Sequence, residues 1–284
     1  MTSAQIFFIQ NDDIIRTLAR RFVSYTLNHI DEFTIRSWLA QFDDADKLVA
    51  LKLLQNVMYF DPVRLNRTLA ELHQRFVEVA HPDWNRTYIL PFGEAHEGSG
   101  RLIPEYHLAS GLTNRRYDRN FIYDVRNLQG TNKDEIANFY ARDDLVFVFL
   151  DDFIGTGGQA MNIWDGRHSA SLPPKCQSYL LIPIAFSEGI TNLNNTAGSR
   201  LIVVPHTTLN DQNKCFSTAN SIFSQDEKEV LHKYCQRTGD RWPDGFGNIQ
   251  ALVVFYYRAP NDTISILRAD PSSSLRGLFP RFSS

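Results

Sequence analysis

The residues best suited to chemistry lie at 145–159, LVFVFLDDFIGTGGQ. An apolar run ends in two adjacent carboxylates, Asp151 and Asp152. Two residues later Gly155, Thr156, Gly157 and Gly158 lead into Gln159. A buried strand would fix such a turn at the carboxyl edge of a parallel sheet, where open α/β folds bind ligands. Glycines let backbone amides approach a phosphate closely, and a helix start adds unpartnered N–H groups and a favourable dipole. The Thr156 hydroxyl can donate to the same phosphate. The two aspartates lie just upstream, where their oxygens can accept from the 2′- and 3′-hydroxyls of a ribose. The bland alternative is a tight strand–helix turn with two solvated carboxylates. No Gly-Lys-Ser/Thr follows the glycines, so the turn is not a Walker P-loop, and the dinucleotide fingerprint G-x-G-x-x-G is not met.

The elements that must position this turn follow from apolar periodicity. The first third reads as helical: residues 14–28, 34–39, 46–58 and 62–80, the last with Asp61 as N-cap and Pro62 at its first position. Glycine is absent from residues 1–92, which fits helices joined by short turns. From His81-Pro82-Asp83 onward the pattern changes. Short apolar strands are expected at 87–92, 121–125, 145–150, 178–185 and 201–205. Helical stretches are expected near 104–112, 133–140, 158–164 and 224–236. This alternation implies a mainly parallel sheet covered on both faces, an α/β domain over residues 83–284 after a helical region over 1–82. Residues 251–257, ALVVFYY, read as one further strand.

Bulk composition narrows the classes. The chain has 284 residues, 43% hydrophobic and 21% charged, with net charge −3. That balance supports a sizeable core and lacks the strong basic excess usual for nucleic-acid binders. Cys176, Cys215 and Cys235 are widely spaced, with no CxxC pair and no Cys/His cluster, which argues against structural zinc and for reduced thiols in a cytoplasmic protein. No run approaches the roughly 18 apolar residues of a membrane span, and no signal peptide is read at the start.

The order apolar strand, Asp-Asp, two residues, Gly-Thr-Gly-Gly resembles the phosphoribosyl pyrophosphate (PRPP) motif of type I phosphoribosyltransferases. Gln159 departs from it where threonine is common. The resemblance implies a pyrophosphate loop one strand–loop–helix unit earlier. Gly93-Glu94-Ala95-His96-Glu97-Gly98-Ser99-Gly100-Arg101 stands there, with Gly98, Ser99 and Gly100 offering backbone amides. It implies a mobile lid between the next strands, where residues 126–133 include Arg126 and Lys133. Mg²⁺ would be held mainly through substrate pyrophosphate and ribose hydroxyls.

Most of residues 30–280 resembles a narrower branch, the phosphoribosyltransferase-like proteins of bacterial conflict systems with an N-terminal winged-helix-like segment. The resemblance rests on the 151–159 motif, the apolar helical region before it, and the run GFGNIQALVVF at 245–255 followed by Ala259-Pro260-Asn261-Asp262-Thr263. That branch is associated with anti-phage defence, including retrons that carry a reverse transcriptase and a small RNA–DNA product. It implies an effector that transfers or hydrolyses a ribosyl bond, and a homo-oligomer is compatible with it. Two rivals stay open: a PRPP or nucleotide sensor without turnover, and a nucleic-acid-docked assembly subunit. Residues 34–58 offer only Arg36, Lys47 and Lys52 against Glu32, Asp43, Asp44 and Asp46 nearby, which favours scaffolding over DNA reading. Residues 246–261 are expected to form a cap at the acceptor end of the sheet, with Asn248 and Asn261 as candidate acceptor contacts or merely turn residues.

Overall fold

The computed structural model describes residues 2–93 and 98–281. Its strands are β1 (Met58–Phe60), β2 (Thr87–Pro91), β3 (Val146–Leu150), β4 (Phe153–Ile154), β5 (Gln177–Phe186), β6 (Leu201–Leu209) and β7 (Val253–Phe255). The chain divides into two compact units, Met1–Val63 with Asn210–Ser284, and Arg64–Leu209. The expected division at 82/83 is not where the packing separates it: the last 75 residues group with the N-terminal helices.

The Arg64–Leu209 unit is an α/β layer structure. β2, β3, β5 and β6 lie side by side and all pair in parallel. β4 resumes the pairing of β3 along β5, with Phe153 opposite Ile184 as Leu150 is opposite Leu181, so the register is unbroken across the aspartates. Parallel strands covered on both faces read as continuous apolar runs, as VFVFL does here. On one face Phe147, Phe149, Leu180 and Ile182 pack with Phe139, Ala160, Trp164, Leu193 and Ala197 from three helical segments. Toward the other, Phe76 of the long helix Pro62–Ala80 meets Tyr179 edge-on at 5.2 Å.

The strand expected at 121–125 does not form. Two 3₁₀ turns, Arg115–Asn120 and Val125–Leu128, bracket a single bridge from Phe121 to Ile89. The cause is local: Asp124 caps the second turn through the Arg126 amide, and Asn120 donates its side-chain amide to the Thr87 carbonyl at 2.6 Å. Such side-chain bonds offer the backbone an alternative to a ladder. The polar stretch after it is built rather than featureless. Gly130 takes φ +78°, and Asn132 and Glu135 form a capping box that starts the helix Lys133–Ala141.

In the other unit, helices Asp12–Phe22, Glu32–Leu39 and Lys47–Gln55 share one core with Gln225–Arg237 and the C-terminal segment. Phe22 meets Phe279 edge-on at 4.9 Å, and the Trp38 indole donates to the Ile266 carbonyl at 3.1 Å. The ALVVFYY run supplies β7, which pairs in parallel with β1, Met58 opposite Val253. It is therefore not a strand of the main sheet. Residues 246–261 belong to this same unit. No helix among the described residues is long and apolar enough to cross a membrane.

Candidate functional site

The turn at 151–159 sits at the carboxyl end of β3, in the interior of the sheet between β2 and β5. The Asp151 amide still donates to the Leu181 carbonyl at 3.3 Å, so the first carboxylate is anchored by the sheet itself. Adjacent residues of an extended chain point to opposite faces, and the two aspartates have different surroundings. Asp152 is 2% exposed, whereas Asp151 is partly exposed. The sequence reading treated them as one ribose clamp; the fold makes them unequal, with Asp151 the carboxylate nearer solvent.

Gly157 is the residue before the helix Gly158–Ile163 and has φ +82°, a left-handed conformation that glycine adopts without a Cβ clash. Its carbonyl accepts the first helical bond from the Met161 amide at 2.8 Å. The Thr156 hydroxyl lies 3.4 Å from the Gly158 amide, and Gln159 is exposed. The first-turn amides of such a helix have no intrahelical acceptor. An oxyanion at the turn would meet them together with the Thr156 hydroxyl.

Two residues that the sequence reading missed hold this turn from the helix Ser187–Ala197. A Cβ at Gly189 would lie 2.2 Å from the Gly155 carbonyl oxygen and 3.0 Å from the Gly157 nitrogen. Asn192 donates its side-chain amide to the Thr156 carbonyl at 3.0 Å. A glycine in the first turn of a helix that follows a long apolar strand is the available signal, since it costs helix stability unless something packs there.

The expected pyrophosphate loop is only partly described: Glu94, Ala95, His96 and Glu97 lie outside the described residues. Gly98, Ser99 and Gly100, expected as loop amides, instead begin the helix Gly98–Ala109. Glycines tolerate a helical start, and the apolar positions from Leu102 onward draw the segment onto the core. Ser99 is 2% exposed, accepts from the Gly93 amide at 3.1 Å and donates to Asp151 Oδ1 at 2.8 Å. Asp151 Oδ1 also accepts from the Asp152 amide at 3.0 Å. Ser99 and Asp151, separate candidates by sequence, are thus joined.

After Ile163 the helix continues as a π turn, Trp164–His168, a form found mostly as single insertions at functional places. It directs two side chains at the end of β2: Arg167 donates to the Gly93 carbonyl at 3.1 Å and His168 donates from Nε2 to the Phe92 carbonyl at 2.7 Å. The His168 ring lies against Phe149, with centroids 4.3 Å apart. Arg126, a lid candidate, bonds instead to its neighbour Asp124 through Nε at 2.8 Å, and that guanidinium holds the Asp124 carboxyl below its usual pKa. Lys133 opens its helix and is exposed. Cys176, Cys215 and Cys235 are buried free thiols.

Among the described residues no cluster of three His, Cys, Asp or Glu side chains could hold a metal.

One solved structure similar to the chain is that of the AQ2163 protein from Aquifex aeolicus. It is 10% identical, with a TM-score of 0.33 over 63% of this chain and 83% of that one. No curated protein matches. The family model PRTase-CE matches residues 35–281, nearly the whole chain. With a parallel α/β sheet carrying an Asp-Asp, Gly-Thr-Gly-Gly turn at a strand end, the chain is a member of the PRTase-CE family, a phosphoribosyltransferase-like protein.

Proposed function

We infer that the 151–159 turn binds PRPP or a related ribose-5-phosphate nucleotide with Mg²⁺, and that the protein transfers or hydrolyses the ribosyl bond. The observation that carries this reading is the left-handed Gly157 seated on Gly189 at the end of an interior parallel strand, with Asp151 immediately upstream. The backbone from Gly155 to Gln159 and the Thr156 hydroxyl would hold the 5′-phosphate. Asp151 would accept from ribose hydroxyls and favour positive charge developing on the ring. Bound Mg²⁺, carried on pyrophosphate and ribose oxygens, would neutralise the departing charge. The amides at Gly98, Ser99 and Gly100 would face that pyrophosphate from a helix start.

The biological setting follows the family branch: an effector of an anti-phage defence system, cytoplasmic, working beside a reverse transcriptase and its RNA–DNA product, with the N-terminal helices as the docking part. A sensor without turnover is the second reading. It is favoured by the burial of Asp152, which leaves one carboxylate rather than two at the surface of the turn.

Calorimetric titration of PRPP with Mg²⁺ into wild type and the Asp151→Asn/Asp152→Asn protein tests the site. Saturable binding lost in the double variant supports it, and release of pyrophosphate or free base then separates enzyme from sensor. Wild type that binds neither PRPP nor a ribose-5-phosphate nucleotide sinks both readings.

A further inference from the structure

The sequence suggested Ser99 for its backbone amide, yet its side chain makes the more specific contacts. The hydroxyl is buried, accepts from the Gly93 amide at 3.1 Å and donates to Asp151 Oδ1 at 2.8 Å. A serine hydroxyl has a single proton, and here that proton is committed to the carboxylate. An ionised acceptor makes such a bond charge-assisted and stronger than one between neutral groups.

Asp151 is also held along its own strand and by its neighbour. Its amide donates to the Leu181 carbonyl at 3.3 Å, and Oδ1 accepts from the Asp152 amide at 3.0 Å. The first bond fixes the backbone, and the second is a local contact to the next residue. The Ser99 bond differs in kind. It ties the carboxylate to the start of the helix Gly98–Ala109, 52 residues away in the chain. An aspartate free to turn loses rotamer entropy when a ligand immobilises it, whereas one already fixed does not. A group that must meet a ligand within a narrow geometric tolerance is best held by a packed neighbour behind it.

We propose that Ser99 is a positioning residue for the ribose contact: its hydroxyl sets the Asp151 rotamer before the ligand arrives. The inference rests on Asp151 being a ribose contact, and it adds a side-chain role at a position so far considered for its amide.

Two measurements on the full chain test it. Three-bond couplings about the Asp151 Cα–Cβ bond, read without ligand, should report one rotamer in wild type and an average over several in Ser99→Ala. A structural role confined to packing would lower stability and leave those couplings unchanged. Calorimetric titration of PRPP with Mg²⁺ should then show binding roughly three- to tenfold weaker in Ser99→Ala. Ser99→Cys keeps the bulk of the buried side chain with a much weaker donor. It should show the same averaging and the same loss, so the test stands where the alanine variant does not fold. A single Asp151 rotamer in the variants overturns the proposal, as does averaging already present in wild type. A change in affinity below about twofold overturns it too. Wild type that binds PRPP while both variants bind it equally well fails this inference alone. Wild type that binds neither PRPP nor a ribose-5-phosphate nucleotide fails the ribose reading and this inference with it.

Discussion

Ser99 donates its hydroxyl to Oδ1 of Asp151 at 2.8 Å, joining two segments 52 residues apart. The same oxygen of Ser99 accepts from Gly93, so one buried side chain closes the end of β2 onto the end of β3. The bond holds the Asp151 carboxylate in place through Oδ1.

Replacing Ser99 with alanine removes a donor from Asp151 and an acceptor from the buried Gly93 amide. Leaving a buried group unpaired costs about 1–3 kcal/mol. Urea unfolding should show a loss of that size, and a change below about 0.5 kcal/mol would mean the bond is not formed in solution.

Gly189→Ala should spare the sheet and damage the turn. The added methyl meets the Gly155 carbonyl at 2.2 Å and the Gly157 nitrogen at 3.0 Å, so the backbone of the turn must move. Overpacking of this kind costs about 1–3 kcal/mol. PRPP affinity should fall much further than stability does. Unchanged affinity alongside a lowered Tm would show that the turn is not the binding element.

His73 carries a pH dependence. Its ring stacks on Trp84 at 5.7 Å, and Nδ1 lies 2.8 Å from the buried Tyr106 hydroxyl. Burial lowers the imidazole pKa and pushes the Tyr106 hydroxyl up, so the neutral ring accepts from the phenol. The folded pKa lies below the unfolded value of about 6.5. Stability is therefore present above that pH and declines as pH falls through it toward the depressed folded value. Between about pH 7.5 and about pH 5 the wild type should lose more stability than His73→Gln. Parallel profiles for the two proteins would remove His73 from the account.

Residues 1–63 expressed alone should not reach their native structure. Their core residues Phe22, Trp38 and Leu53 pack in one cluster with Leu231, Tyr234, Ile266 and Phe279. Without the C-terminal partners that apolar surface faces water at roughly 25 cal/mol per Å². A dispersed proton–nitrogen spectrum from the isolated fragment would contradict the shared core.

The extent of sequence legibility follows interaction range. The strand near 146–150 and the helices near 62–80 and 133–141 were readable, the helices because their bonds join near neighbours and the strand because burial on both faces leaves one continuous apolar run. The strand expected at 121–125 failed for the same reason turned around: Asp124 and Asn120 satisfy nearby backbone groups and displace the ladder. Gly98–Gly100 look like a loop, yet the apolar face that begins at Leu102 brings them into a helix.

By itself the sequence determined the chemistry on offer: a strand-to-helix turn with two carboxylates, three glycines and a threonine, in an α/β chain with helices first. Composition and spacing suffice for that, because a turn of this kind is specified by its own backbone requirements. Only the tertiary structure decided which aspartate faces solvent, that Ser99 holds it, that Gly189 seats the turn, and that residues 210–284 complete the N-terminal core. Those outcomes depend on which distant segments share a face once the sheet is assembled, and no local spacing encodes that partnership.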